Sequence, residues 1–314
     1  MNSKILAFLM ISFVMMLSAC KPKATTGTET ATNGADKTVK PQPVAKEGYK
    51  SESTLLIEEV DNSFRDSASQ PVMQTADNRI FKPGRKFIYN YIYINDKNQE
   101  RYCVLAPPNS GLPSSKAYYY MPPSDLNELA LMQAQITVLP GLGLIENVRR
   151  DYAKSAAKYD YKLYNSMATV REQSGLVENE ENVWMTPPRF MIFRMLEMNP
   201  YPYIKAPYEV GNKWTWEHTI KTRWGDPQWL ILHEPMECNY TYEITAKKRL
   251  DTALGELECF VVEGVGYNEF GETYLTSYFN PDYGFVRLEY TNIHYTKMIF
   301  DIAEVVDLEE PILY

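Results

Sequence analysis

The sequence predicts a mainly β protein: a curved antiparallel meander forming a half-barrel or sandwich, with one or two short helices. Two observations carry that expectation. From Lys82 onward, apolar and polar side chains alternate with a period of two, and Pro, Gly, Asn and Asp punctuate the runs. Aromatic residues make up 13% of the chain, with 24 Tyr, and aromatic side chains favour strands.

Taken in chain order, 87–94 and 101–106 flank Asn95-Asp96-Lys97-Asn98 and read as a hairpin. Residues 116–121 form a further strand candidate. Ser124-Asp125, followed by Glu128 and Leu129, has the signature of a capped helix reaching to Gln135. The stretch 144–158 fits a helix, from its Glu146/Arg150 and Leu144/Val148 spacing, or a second hairpin, and both stay open. Strands are expected at 159–170 and 190–198, and the pairs Pro107-Pro108, Pro122-Pro123 and Pro187-Pro188 end strand-like runs.

The last third is clearer. In 213–221, Trp214, Trp216, His218 and Ile220 share one side. In 238–246, Cys238, Tyr240, Tyr242, Ile244 and Ala246 face one way and Asn239, Thr241, Glu243 and Thr245 the other, a half-buried strand. A turn at 251–254 leads into 255–265. Strands 272–279 and 285–290 then flank Asn280-Pro281-Asp282-Tyr283-Gly284, with Pro early and Gly late as a hairpin turn demands. A strand at 295–306 closes a meander of about six strands. Residues 51–205 are thus read as a mixed, mostly β region and 206–314 as an antiparallel meander domain. A sheet this long must curl or fold onto a second layer to hide its edges.

The amino terminus carries an address. Lys4 precedes an apolar run, 5–17, whose only polar member is Ser12, and the run ends in Leu17-Ser18-Ala19-Cys20. That length suits a signal peptide rather than a membrane span. The four residues resemble the lipobox of bacterial lipoproteins, which implies a cleaved signal over 1–20 and an acylated Cys20 that holds the chain to a membrane. Each buried methylene of an acyl chain contributes about 0.8 kcal/mol to that hold. Residues 21–50 are rich in Thr, Lys, Ala, Gly and Pro and read as a disordered tether. The formal net charge of −8 divides unevenly: the tether carries +3 and residues 51–314 carry −12. An acidic body excludes nucleic acid as a partner. Lys21-Pro22-Lys23 lacks the acidic residues that mark surface export in some bacterial groups, so the periplasmic face is expected.

Five stretches resemble an uncharacterised group of lipid-anchored envelope proteins: 184–189, 199–207, Gly211-Asn-Lys-Trp-Thr-Trp216, Leu254-Gly-Glu-Leu-Glu-Cys-Phe260 and Tyr278-Phe-Asn-Pro-Asp-Tyr-Gly-Phe-Val-Arg-Leu288. The resemblance spans about residues 184–306 and implies a curved antiparallel sheet. It brings no catalytic residues with it.

Known chemistry is sparse. His218, His233 and His294 lack metal-ligand spacing and there is no Cys-x-x-Cys, so no metal or cofactor is expected. His218 reads as a hydrogen-bonded core residue. With Cys20 acylated, Cys103, Cys238 and Cys259 remain, and buried free thiols are expected. Ser155-Ala-Ala-Lys158 matches the Ser-x-x-Lys of penicillin-binding enzymes, but its partner motifs are missing. What is left is aromatic. Trp224-Gly-Asp226-Pro-Gln-Trp229 reads as a turn with a Trp on either side, and one or both rings are candidates for exposure. Trp224, Asp226 and Trp229 are therefore the candidate ligand residues. Three functions stay open: a non-enzymatic envelope protein binding an apolar or aromatic ligand or an envelope partner, a glycan-binding or glycan-processing lipoprotein, and a purely structural component.

Overall fold

The computed structural model describes residues 78–107, 117–139, 155–164, 167–222, 224–226 and 230–308. All of them belong to one compact unit of the chain. The signal, the tether, Cys20 and most of 144–158 lie outside the described residues.

The fold class is the one the alternation predicts, since nearly every described element is an antiparallel strand. In chain order these are β1 (Arg85–Ile94), β2 (Glu100–Leu105), β3 (Tyr118–Met121), β4 (Leu131–Leu139), β5 (Ser155–Leu163), β6 (Met167–Glu178), β7 (Asn182–Met185) and β8 (Tyr203–Lys205). They continue as β9 (Lys213–Ile220), β10 (Gly225–Asp226), β11 (Leu230–Ile231), β12 (Met236–Thr252), β13 (Gly255–Asn268), β14 (Gly271–Asn280), β15 (Gly284–Thr291) and β16 (Lys297–Asp307). One 14-stranded sheet runs β8-β7-β6-β5-β4-β1-β16-β15-β14-β13-β12-β9, with β2 and β3 hung from β1; β10 and β11 form a separate ladder. Strand β1 joins the two halves, pairing with β4 on one side and with β16 on the other.

Inward residues follow the predicted alternation. Phe87, Tyr89, Tyr91 and Tyr93 of β1 are buried, as are Cys238, Tyr240, Tyr242 and Ile244 of β12. A bulge after Ile244 ends that register, so Ala246 leaves the buried face.

The sheet curls until its two edges meet through side chains. Tyr203 of β8 packs edge-on against Trp214 of β9 (5.5 Å between centroids) and Tyr242 of β12 (5.5 Å), while Trp214 stacks on Tyr242 at 6°. Asn212 Nδ2 donates to the Lys205 carbonyl at 2.9 Å, tying the edges along the backbone as well. The result is a nearly closed barrel, which protects strand edges as a long sheet requires.

Two expectations are corrected. Residues 190–198 are not a strand; Met191–Met198 form a 3₁₀ helix lodged inside the curl. Its Ile192, Phe193 and Leu196 are fully buried, and the Phe193 ring meets Tyr91 (4.9 Å), Tyr161 (5.6 Å) and Phe300 (5.5 Å). The run is only eight residues long, broken by Arg194 and Glu197, and over so short a stretch apolar spacing does not separate helix from strand. The helix expected from Ser124 to Gln135 is also absent. Pro123–Asp125 make only a single 3₁₀ turn with no side-chain cap, and Leu131–Leu139 form strand β4. Ile136, Thr137 and Val138 are β-branched and buried, and the sheet uses that preference over the local cap signal.

At one end, the backbone N–H groups of Arg79, Ile80 and Phe81 donate to the Glu178 carboxylate at 2.7–3.1 Å. There the Arg85 guanidinium also donates to Asp307 (2.7 Å) and to the Arg79 carbonyl (2.8 Å). The described chain therefore enters the barrel at this end.

Candidate functional site

The opposite end carries the site. There β1 and β15 finish, β14 and β16 begin, and the β2–β3 hairpin projects from the last residues of β1. Four separate segments meet around a pocket of about 240 Å³ lined by Tyr93, Tyr118, Tyr120, Met195, Met198, Asn292, Ile293, His294 and Thr296. No carboxylate, lysine or arginine lines it, and His294 is its one basic side chain.

Each wall has a local cause. Tyr93 is the last inward residue of β1, and Tyr120 of β3 stacks on it at 5.0 Å and 25°. Tyr118 meets Tyr120 edge-on at 5.9 Å. Burial raises the Tyr93 phenol pKa, while hydrogen bonds to Thr296 and Tyr120 pull it partly back. Met195 and Met198 come from the inner 3₁₀ helix and supply a soft, polarisable side. That helix is fixed at its end: the Thr273 hydroxyl donates to the Met198 carbonyl at 3.0 Å, and Asn199 Nδ2 donates to the Thr291 carbonyl at 3.1 Å.

The fourth wall is the turn between β15 and β16. Asn292 N–H donates to the Thr296 carbonyl (2.8 Å) and Tyr295 N–H to the Asn292 carbonyl (3.0 Å). To close this turn His294 (φ 65°) and Tyr295 (φ 61°) both adopt the left-handed region, which disfavours side chains with a Cβ and concentrates at functional sites. Asn292 is only 3% exposed, and its Oδ1 has no hydrogen-bond donor among the described residues. Buried polar groups are nearly always satisfied, so this oxygen is an exception that needs a reason.

At this end of the barrel aromatic rings face solvent. Tyr119, Tyr120, Tyr267, Phe270 and Tyr274 are exposed, and Tyr295 is 80% exposed. Tyr267 and Tyr295 neighbour the Tyr274 phenol, whose pKa is raised chiefly by its hydrogen bond to Glu272.

Two of the residues nominated from sequence, Trp224 and Asp226, are not among the pocket's lining. Trp224 is 8% exposed rather than presented on a loop, because its indole N–H donates to Glu197 Oε2 at 2.6 Å and so draws the ring inward. Asp226 belongs to the short β10, paired with Leu230. Trp229 lies outside the described residues. Glu197 sits between Met195 and Met198 in sequence, so Trp224 bears on the pocket through the element that carries both methionines. His218 is a partly buried residue in hydrogen-bond contact with the Tyr201 hydroxyl at 3.3 Å. Cys103, Cys238 and Cys259 are all buried and form no disulfide among the described residues, and burial pushes the Cys238 and Cys259 thiols up to about 11. Among the described residues no group of three or more His, Cys, Asp or Glu could hold a metal ion, and no helix is long and apolar enough to cross a membrane. The pocket residues themselves went unnominated. The run Tyr118-Tyr119-Tyr120 was the available signal, but only the topology brings it to 195–198 and 292–296.

No protein-family model and no curated protein matches the chain. Among solved structures it is similar to a candidate exported protein with a YmcC-like fold from Bacteroides fragilis, at 11% identity and a TM-score of 0.40, over 72% of this chain and 96% of that one. It is similar to a candidate lipoprotein from Parabacteroides distasonis, at 12% identity and a TM-score of 0.39, over 73% of this chain and 100% of that one. The hypothetical lipoprotein YmcC from Escherichia coli K12 aligns over 79% of this chain and 98% of its own, at 7% identity and a TM-score of 0.30.

Proposed function

We propose that this is a non-enzymatic binding protein of the bacterial envelope, anchored through acylated Cys20 on the periplasmic face, which holds an apolar or aromatic ligand at the tyrosine-rich end of its barrel. The observation that carries the reading is the pocket itself: a Tyr/Met-rich wall built from four segments, with His294 and no carboxylate, lysine or arginine. Binding suits this lining better than catalysis, since beside His294 it offers no carboxylate, lysine or cysteine to complete a base–nucleophile pair. The interior beside it is filled by Phe193 and its aromatic neighbours, which favours a ligand held at the rim. The lipobox supports the anchor, and the exposed rings at the same end of the barrel supply flat contact surface for a larger partner.

Native mass spectrometry of the full chain, extracted from its own membranes, tests the reading. The wild type should carry a small-molecule adduct that Ile293→Trp, with its larger side chain at the pocket wall, lacks. Identical adduct-free spectra for both proteins would remove the ligand function. Anchoring is tested separately: Cys20→Ala should release the protein from the membrane fraction, and continued attachment would refute acylation at that residue.

A further inference from the structure

We infer that the outer face of the β13–β14 hairpin is a docking surface for an extended segment of a partner protein that carries arginine at alternate positions. This surface lies outside the sheet and is separate from the pocket.

Alternation decides which side chains face out. In β13 and β14, Gly266, Thr273 and Leu275 are buried, whereas Tyr267, Glu272 and Tyr274 are exposed. Tyr267 pairs directly with Glu272, which makes Tyr274 its diagonal neighbour, about 7–8 Å away. Phe270 is exposed at the hairpin tip. Tyr274 also pairs with Thr291, the last residue of β15, and Tyr295 follows in the next turn, which packs on β14. Single exposed apolar residues are ordinary, but four rings gathered at one rim mark an interaction surface.

The charge here is of one sign. No lysine, arginine or histidine occurs between Asp251 and Val286, against seven carboxylates. At the other end of β13, Glu258 and Glu256 are paired with Lys247 and Arg249. At this end Glu269 and Glu272 form no ion pair among the described residues. Neither does Glu217, which stands in the Tyr267–Glu272 row through Asn239. Glu272 accepts a hydrogen bond from the Tyr274 hydroxyl, which holds a carboxylate beside a ring. Basic groups stand on the flanks: Lys221 just past β9 on one side, and His294 and Lys297, two strands from Tyr274, on the other.

Exposed rings beside unpaired carboxylates repel an anionic membrane and attract cations. Among cations the geometry favours arginine. Its planar guanidinium stacks on a tyrosine face while donating two hydrogen bonds to a carboxylate, which a lysine ammonium cannot do. In an extended segment alternate side chains recur every 6.5–7 Å or so, close to the Tyr267–Tyr274 diagonal.

Calorimetric titration of the full chain tests this with a capped hexapeptide of alternating glycine and arginine, and with its lysine and citrulline counterparts. An exposed cation–ring contact is worth about 2- to 5-fold, so two rings predict lysine binding about 4- to 25-fold weaker than arginine. Citrulline keeps the planar group without the charge and should not bind. Glu269→Gln combined with Glu272→Gln should weaken the arginine peptide roughly 10-fold or more, two charge-assisted contacts being lost. Glu256→Gln combined with Glu258→Gln removes the same charge at the far end and should leave affinity unchanged. Tyr267→Thr combined with Tyr274→Thr keeps strand propensity and should erase the preference for arginine over lysine. Equal affinity for the arginine and lysine peptides overturns the inference on the unmodified protein, whatever the variants do. Absence of binding, an equal loss from both glutamate pairs, or binding of maltohexaose in place of the arginine peptide overturns it as well.

Discussion

Truncating Phe193 to Ala is the perturbation that best links the fold to the site. Phe193 is fully buried at the centre of the inner 3₁₀ helix, and its ring touches three others: Tyr91 edge-on at 4.9 Å, Tyr161 stacked at 5.6 Å, and Phe300 at 5.5 Å. Those partners belong to β1, β5 and β16, so one side chain ties the helix to both halves of the sheet. Removing a buried Phe ring costs about 3–5 kcal/mol through lost transfer energy and the cavity left behind. With three aromatic partners, each pair worth about 0.5–1.5 kcal/mol beyond its buried area, the upper part of that range applies. For a domain of this size about 1 kcal/mol moves Tm by 2–4 °C, so a drop of about 10–20 °C is expected. Differential scanning calorimetry on the full chain reads it directly. The helix also carries Met195 and Met198, so binding of p-cresol, an aromatic probe of the pocket, should weaken in the same variant. A Tm shift under about 2 °C would refute the view that this helix is the barrel's packed core.

Further outcomes follow from burial and close approach. Tyr91, Tyr240, Tyr242 and Tyr290 have phenol pKa values held well above the usual value by desolvation, and the Cys238 and Cys259 thiols are pushed up to about 11. A group whose folded pKa is raised contributes stability that is complete below its unfolded pKa and is lost as pH rises through the folded one. On the alkaline side, stability should therefore hold from neutral pH to about pH 8.5 and fall steadily above it, as seen in denaturant midpoints against pH. For the same reason Cys238 and Cys259 should resist thiol-specific labelling in the folded protein at pH 8 and react fully once it is unfolded. Gly266→Ala should destabilise by about 1–3 kcal/mol. Its Cβ would lie 2.6 Å from Thr273 Oγ1, 3.0 Å from Tyr240 Cδ1 and 3.1 Å from Pro200 Cδ, and urea melts would show the loss.

Much of the barrel is legible in the sequence because half-buried strands write a period of two. Strands β9 and β12 to β16 sit where Trp214, Tyr240, Leu275, Leu288 and Phe300 alternate with polar neighbours, and the turn at Asn280–Gly284 falls between β14 and β15. The signal fades where both faces are covered. In β4, Ala134 to Leu139 are all buried, and that continuous run let Ser124 and Glu128 suggest a helix instead. Residues 190–198 are ambiguous for another reason: a short apolar run broken only by Arg194 and Glu197 does not separate helix from strand by spacing alone.

The pocket was hidden for a different cause. Tyr93, Tyr120, Met198 and Asn292 are separated by long stretches of chain, and only the curl of the sheet and the return of the inner helix bring them together. The tryptophans show the converse. Flanking turn residues suggested exposure for Trp224, whereas a single long-range acceptor, the Glu197 carboxylate, holds it inside.

The claim on which the account depends is that the tyrosine-rich end, and not the barrel interior or the Trp loop, holds the ligand. Methyl-labelled methionine NMR spectra of the full chain, recorded while p-cresol is added, test it most directly. Met195 and Met198 line the pocket, while Met185 and Met236 are buried elsewhere in the sheet. Saturable shifts of the Met195 and Met198 signals, with Met185 and Met236 unmoved, are the predicted result. Shifts confined to Met185 or Met236, or no saturable shift at any methionine, would contradict it.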